Sequence, residues 1–277
     1  FGIWYNWSCR SCEYSLRVYG AKIFVGSGGP GDVGDATIRA AAVRNSMFLL
    51  EIQDTFRKTD SKWTSPSYHL DMLCDNRDAL MQKYGANMIV GYQFPWRDPE
   101  SPGANRWGWT TLNCFGAQLI AAQHHFAGGF VPSMRPWLQF MTRYSRYVWA
   151  PDVKVVAQPQ KIIEVDSPEE VWWKRLVYRL PTDDGYDLIV HLVRVPPTPK
   201  WDVDRPDEPR PLAKVTVRAS LGKGKLRDAW AVRPYDYEEE QQTVQAALPA
   251  RVSKGAAEVT IPPFRYHTMV VFRVNAR

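Results

Sequence analysis

Three glycines in the stretch GSGGPGD (Gly26, Gly28 and Gly31) stand at the spacing G-x-G-x-x-G. An apolar run, AKIFV, precedes them, a helix-like run, ATIRAAAVR, follows, and the next apolar run, SMFLLEIQD, carries Glu51. A strand, a glycine turn, a helix and then an acid about twenty residues on are the features of a dinucleotide-binding turn, where pyrophosphate approaches a helix N-terminus. An oxidoreductase using FAD or NAD is therefore one reading. Three features oppose it. Gly34 and the cap-like Asp35 lie between the third glycine and the helix, so the loop is longer than a tight turn. A strand-and-helix unit precedes the loop, whereas the fingerprint normally opens its domain. The remainder of the chain offers no second half to hold a flavin or nicotinamide.

A second set of residues follows apolar runs. It comprises Trp4, Tyr5, Asn6 and Trp7; Glu51, Gln53 and Asp54; Gln93, Pro95 and Trp96; and His124 and His125. Arg97, Arg106, Trp107 and Trp109 lie in a long loop after the third group. If the runs are parallel strands of one (β/α)8 barrel, these residues gather at the C-terminal rim, where barrel sites form. Aromatic rings stack on sugar faces, and acids and amides bind hydroxyls, so the inventory suits carbohydrate. Adjacent His124 and His125 point to opposite faces of a strand. They cannot easily ligate one metal, and one of them is expected to line the site. His69, His191 and His267 stand isolated in the sequence and read as structural. No G-x-S-x-G, Walker A or H-E-x-x-H motif occurs, and no cofactor or metal is expected.

The elements that must position these residues fall into two textures. Up to residue 155, strand-like runs alternate with helix-like ones. The strands are GIWYN (2–6), AKIFVG (21–26), SMFLLEI (46–52), ANMIVGYQF (86–94) and, more weakly, HHFAGGF (124–130). Both faces of these runs are apolar, as in a parallel sheet covered by helices. The last helix expected is RPWLQFMTRYSRYVW. From 156 to 277 the runs become short and alternating: KIIEVD, VWWKRLVYRL, YDLIVHLVRV, AKVTVRASL, LRDAWAVRP, AEVTIP and TMVVFRV, separated by TDDG, GKG, PYD and SKG. This predicts an antiparallel β-sandwich of seven or eight strands. One ring of Trp172–Trp173 is expected in the core and the other outward, where it could stack on sugar. PPTPKWDVDRPDEPRP, with six prolines, reads as a stiff surface loop.

A chain of 277 residues, 45% hydrophobic and 23% charged, suits a folded protein of roughly two domains. No apolar run reaches the length of a membrane span. The net charge of +6 is scattered rather than blocked, which argues against a nucleic-acid surface. Cys9 and Cys12 form a lone C-x-x-C with no second pair at zinc spacing, so a loop disulfide or two ordinary thiols is expected. FGIWYNW reads as a strand interior, so a processed product, a fragment or an engineered piece is expected.

The stretches FLLEIQDTF, GANMIVGYQFPW, TTLNCFGAQLIAAQHHFAGG and MTRYSRYVW resemble the later barrel strands of glycoside hydrolase family 66, the dextranases and cycloisomaltooligosaccharide glucanotransferases. YDLIVHLVRVPP and LRDAWAVRPYDY are similar to the sandwich that follows such barrels. The resemblance implies a retaining hydrolase or transglycosylase acting on an α-glucan-like polysaccharide, and a secreted or periplasmic location is favoured. By resemblance, Glu51 matches the acid/base position. Retention uses two carboxyls about 5 Å apart, one ionised and one protonated, and the apolar run before Glu51 would help it hold a proton. The strand-end position where such enzymes often show the Asp nucleophile holds Asn6, an amide that cannot attack an anomeric carbon. Asp54, or else Asp32 or Asp35, could supply the carboxylate; a non-catalytic carbohydrate-binding protein or pseudoenzyme is the alternative. A barrel needs about 250 residues, so a partial barrel completed by another chain or copy is expected.

Overall fold

Apolar segments that are short and β-branched pair wherever a neighbour can satisfy their backbone groups, and here they do so in two different ways. The computed structural model describes residues 24–27, 47–50, 74, 78, 89–93, 116, 120, 123–126, 135–150, 152–195, 209–234 and 244–276. The chain forms two units. One comprises Phe1–Thr64, Tyr68–Arg97 and Gln118–Gly129; the other comprises Ser65–Ser67, Asp98–Ala117 and Phe130–Arg277.

In the first unit, β1 (Phe24–Ser27), β2 (Met47–Leu50), β3 (Ile89–Gln93) and β4 (Gln123–Phe126) form one sheet in the order β1-β2-β3-β4. All three pairings are parallel. Each connection exceeds the roughly twelve residues that a parallel crossover needs. Cys74 and Asp78, between β2 and β3, and Ile120, before β4, are helical, and Cys74 and Ile120 are buried. Four of the five expected strands are therefore present and parallel; GIWYN lies outside the described residues.

In the second unit a buried, helical Gly116 precedes α1 (Arg135–Tyr144) and α2 (Arg146–Trp149). The expected single helix is thus two, interrupted at Ser145. Trp137, Phe140, Met141 and Tyr144 of α1 are buried, the i, i+3, i+4, i+7 stripe of an amphipathic helix. Pro136 sits in the first turn, where its missing N–H costs nothing.

Eleven strands follow: β5 (Lys154–Val155), β6 (Ile163–Asp166), β7 (Val171–Trp172), β8 (Val177–Thr182), β9 (Gly185–Arg194), β10 (Val215–Ser220), β11 (Lys225–Arg233), β12 (Val244–Ala247), β13 (Ala250–Ser253), β14 (Ala256–Ile261) and β15 (His267–Asn275). They make a four-stranded sheet, β13-β14-β10-β6, and a larger one, β12-β11-β15-β9-β8-β5, with β7 on β9. The pairings are antiparallel. The two expected sheets are present, with more strands than expected because β5, β12 and β13 are short additions.

The core lies between the sheets. Val215, Val217 and Ala219 of β10 and Ala257, Val259 and Ile261 of β14 face Leu188, Val190 and Leu192 of β9 and Val270, Phe272 and Val274 of β15. Strands β10 and β14 alternate buried and open positions, as one-sided strands must. Strand β9 is buried on both faces, and the rings of α1 pack on the far side of its sheet. Trp172 and Trp173 are both buried, at 7% and 8% exposure, so the expectation of an outward ring is corrected. Strand β7 ends at Trp172, and Trp173 turns into the inter-sheet core, its carbonyl accepting the Leu176 N–H at 2.8 Å.

Candidate functional site

Parallel strands end on the same edge of a sheet, so the first unit gathers its strand ends in one row. Ser27 stands opposite Leu50, Leu50 opposite Tyr92, and Tyr92 opposite His125. Gln93, which ends β3, stands opposite Phe126, which ends β4. Adjacent strands lie about 4.8 Å apart, so this row spans about 15 Å from β1 to β4. Glu51 is the next residue in sequence after Leu50. Of the candidate residues, Gln93, His124 and His125 are on described strands, and the register brings Gln93 and His125 within one step of each other on neighbouring strands. Trp4, Tyr5, Asn6, Trp7, Glu51, Gln53, Asp54, Trp96, Trp107 and Trp109 lie outside the described residues.

The second unit contains chemistry that the sequence reading missed. His191 and His267 are not isolated: their rings stack at 5.2 Å with 14° between planes, and Nδ1 of His191 lies 3.0 Å from Nε2 of His267. The antiparallel register places His191 opposite Met269 and His267 opposite Val193, so the two rings share one face of the sheet. Trp137 stacks on His267 at 5.0 Å, Phe140 meets it edge-on at 5.0 Å, and Tyr178 meets His191 edge-on at 5.6 Å. Both histidines are enclosed, and among the described residues neither outer ring nitrogen, His191 Nε2 or His267 Nδ1, has a hydrogen-bond partner. Burial pushes His191 down to about 3. His267 is lowered by burial and then by His191. The pair is therefore neutral, one ring donating to the other.

Further along the same face, Arg273 grips Asp187 with two hydrogen bonds, Nε to Oδ1 at 2.9 Å and Nη2 to Oδ2 at 3.0 Å. Asp187 is 2% exposed. Those bonds hold the guanidinium more firmly charged. Tyr147 of α2 hydrogen-bonds Arg273, and burial, then the Asp187 carboxylate, keeps its phenol above the ordinary range. On the small-sheet side of β9, Arg194 donates to the carbonyls of Arg210 at 2.5 Å and Arg265 at 3.3 Å and pairs with Glu169. These contacts tie strands together, with Asp187 and Arg194 buried and Glu169 and Arg273 reaching solvent. No sequence signal marks them beyond a polar residue inside an apolar run.

No family model matches the chain, and no curated protein sequence matches it. Among solved structures it is similar to a cycloisomaltooligosaccharide glucanotransferase of Paenibacillus sp., determined in complex with cycloisomaltoheptaose. The TM-score is 0.55 at 9% identity, over 98% of this chain and 65% of that one, so the chain spans about two thirds of that enzyme's length. At that identity the likeness is one of fold. Weaker likenesses join it to two family 51 arabinofuranosidases. That of Bifidobacterium longum has a TM-score of 0.44 at 11% identity, over 98% of this chain and 63% of that one. That of Xanthomonas axonopodis pv. citri has 0.43 at 10%, over 97% and 63%. Neither carries an argument of its own.

Proposed function

We propose that this chain forms part of a retaining glycoside hydrolase or transglycosylase acting on an α-glucan-like polysaccharide, built as a partial (β/α)8 barrel over residues 1–155 and a β-sandwich over 156–277. The observation that carries the reading is the sheet of four parallel strands in unbroken chain order followed by the sandwich, with a fold likeness that runs through nearly the whole chain. A dinucleotide crevice forms where the strand order of an open sheet reverses. The order β1-β2-β3-β4 contains no such reversal among the described strands. Four strands are half of a barrel, so further strands, from this polypeptide, another chain or a second copy, complete it.

Glu51 is the proton donor in this reading. Its carboxylate partner comes from a loop within one strand of it: Asp54 follows β2 itself, and Asp32 follows β1, which is paired with β2. One strand spacing matches the roughly 5 Å between carboxyls that retention needs. Trp4, Tyr5, Trp7, Trp96, Trp107 and Trp109 would stack on the glucan, and Gln53, Gln93, His124 and His125 would bind its hydroxyls. A substrate of that size favours a secreted or periplasmic location.

A screen of dextran, other α-glucans and β-glucans for reducing-end release tests the reading. Glu51→Gln should lower turnover by about 10²–10⁴-fold, the usual contribution of a general acid. Unchanged cleavage by that variant removes Glu51 from the mechanism. Asn6, where such enzymes often carry Asp, favours a second reading, a carbohydrate-binding pseudoenzyme. It is recognised by glycan binding that quenches Trp fluorescence without cleavage, and by turnover gained on Asn6→Asp.

A further inference from the structure

At one end of the sandwich, Arg179 of β8, Tyr186 of β9, the β10–β11 turn and Ala276, just past β15, surround an open pocket of about 480 Å³. Its wall carries Arg179, Tyr186, Ser220, Lys223 and Ile162. Tyr186 is half-buried, and its hydroxyl donates to the Leu221 carbonyl at 3.4 Å, which fixes the ring. Arg179 lies diagonally across the strand pair, with its guanidinium 4.2 Å from the centre of that ring. The turn Leu221–Gly224 closes with a hydrogen bond from the Gly224 N–H to the Leu221 carbonyl at 3.0 Å. Gly222 holds φ of +59° in this turn, which sets Lys223 at its exposed tip.

Two features give the pocket a chemical preference. Both cations are exposed, and among the described residues neither has a carboxylate partner. Among the described residues, no acidic side chain lines the wall. A guanidinium held against an aromatic face is pre-ordered, and Arg and Lys supply donors suited to an oxyanion. The volume lies within the range of small-ligand sites, about 300–1,000 Å³. The Ser220 hydroxyl adds a hydrogen-bonding partner for a sugar hydroxyl, and Ile162 and the Tyr186 edge offer apolar surface for a sugar C–H face.

We propose that this pocket binds one anionic sugar residue, its carboxylate or phosphate held between Arg179 and Lys223 and its ring against Tyr186 and Ile162. The site belongs to the sandwich and does not rest on the assignment of Glu51.

The test is calorimetric titration of the whole chain with glucuronic acid, glucose 6-phosphate, glucose and inorganic phosphate in low-salt buffer. Binding of at least one charged sugar, at least tenfold tighter than glucose, is expected, with weakening as salt rises. Binding of glucuronic acid identifies a carboxylate ligand, and preference for glucose 6-phosphate a phosphate ligand. Arg179→Gln and Lys223→Gln should each weaken that binding about tenfold, while Arg218→Gln, on the open face of β10, should leave it unchanged. Equal binding of glucose, equal binding of inorganic phosphate alone, absence of binding by both charged sugars, or indifference to both pocket variants overturns the proposal. All three side chains are exposed, so the variants should fold, and matching thermal unfolding curves check that they do.

Discussion

Acidification should unfold the sandwich through His191 and His267. In the folded chain His191 is held neutral, down to about 3, by burial, against about 6.5 in an unfolded chain. Among the described residues, the rings packed on the pair are Trp137, Phe140 and Tyr178, none of which carries a negative charge to balance an imidazolium. Asp187, further along the same face, is already committed to Arg273. The unfolded chain therefore binds more protons than the folded one between about pH 6.5 and pH 3. Stability is full above pH 6.5 and falls as pH drops through that window. One unit of pH is worth about 1.4 kcal/mol for each such group, so His191 alone removes about 2 kcal/mol by pH 5 and about 3 kcal/mol by pH 4. His267 adds a loss of the same sign. Against a typical domain stability of about 5–15 kcal/mol, this is a large share.

Urea unfolding followed by Trp fluorescence at pH 8.0, 6.5, 5.5 and 5.0 measures it, because Trp137 stacks directly on His267. The decisive comparison is with His191→Leu/His267→Leu, which nearly conserves volume and removes two unpartnered ring nitrogens. The variant should equal or exceed the native chain at low pH and lose much less stability between pH 6.5 and 5.0. If the two chains lose stability in parallel, the pair is not held neutral by burial and the reasoning fails.

Other perturbations read other contacts. Asp187→Ala removes the partner of Arg273, whose side chain is 30% exposed and so keeps part of its hydration, and should cost about 1–3 kcal/mol, seen as a lower urea midpoint at pH 7.5. Gly222→Ala forces a side chain into φ of +59°, where a Cβ meets no atom. The cost is therefore conformational, about 1 kcal/mol, and should appear as a lower Tm. Gly116→Ala differs in kind: a Cβ there would fall 2.1 Å from the Trp137 ring, so the buried ring must shift. A change in near-ultraviolet circular dichroism should accompany its loss of stability. Phe272→Ala, in the centre of the inter-sheet core, should cost about 3–5 kcal/mol in the same assay.

What could be read from the sequence follows from how local each signal is. The runs AKIFVG, SMFLLEI and ANMIVGYQF announce their strands because each is apolar nearly residue after residue, the pattern that parallel strands carry. Strands β10 and β14 are equally plain, since burial alternates along them. Strand β13 has no such stripe: after Ala250 its residues are exposed, and it exists because the edge of β14 offers it a ladder. The short strands β5 and β7 give too few residues to show a period. The histidine pair is the sharper case. His191 and His267 are 76 residues apart, and what joins them is the register of β15 on β9. One step of slippage would put them on opposite faces. Sequence shows that each is a polar residue set in an apolar run; only pairing shows that each is the other's partner. The candidate site obeys the same rule. Apolar runs locate Glu51 and Gln93 beside strand ends, and register brings those ends onto one edge. The distance between two carboxyls is a property of tertiary placement, which no run of neighbouring residues encodes.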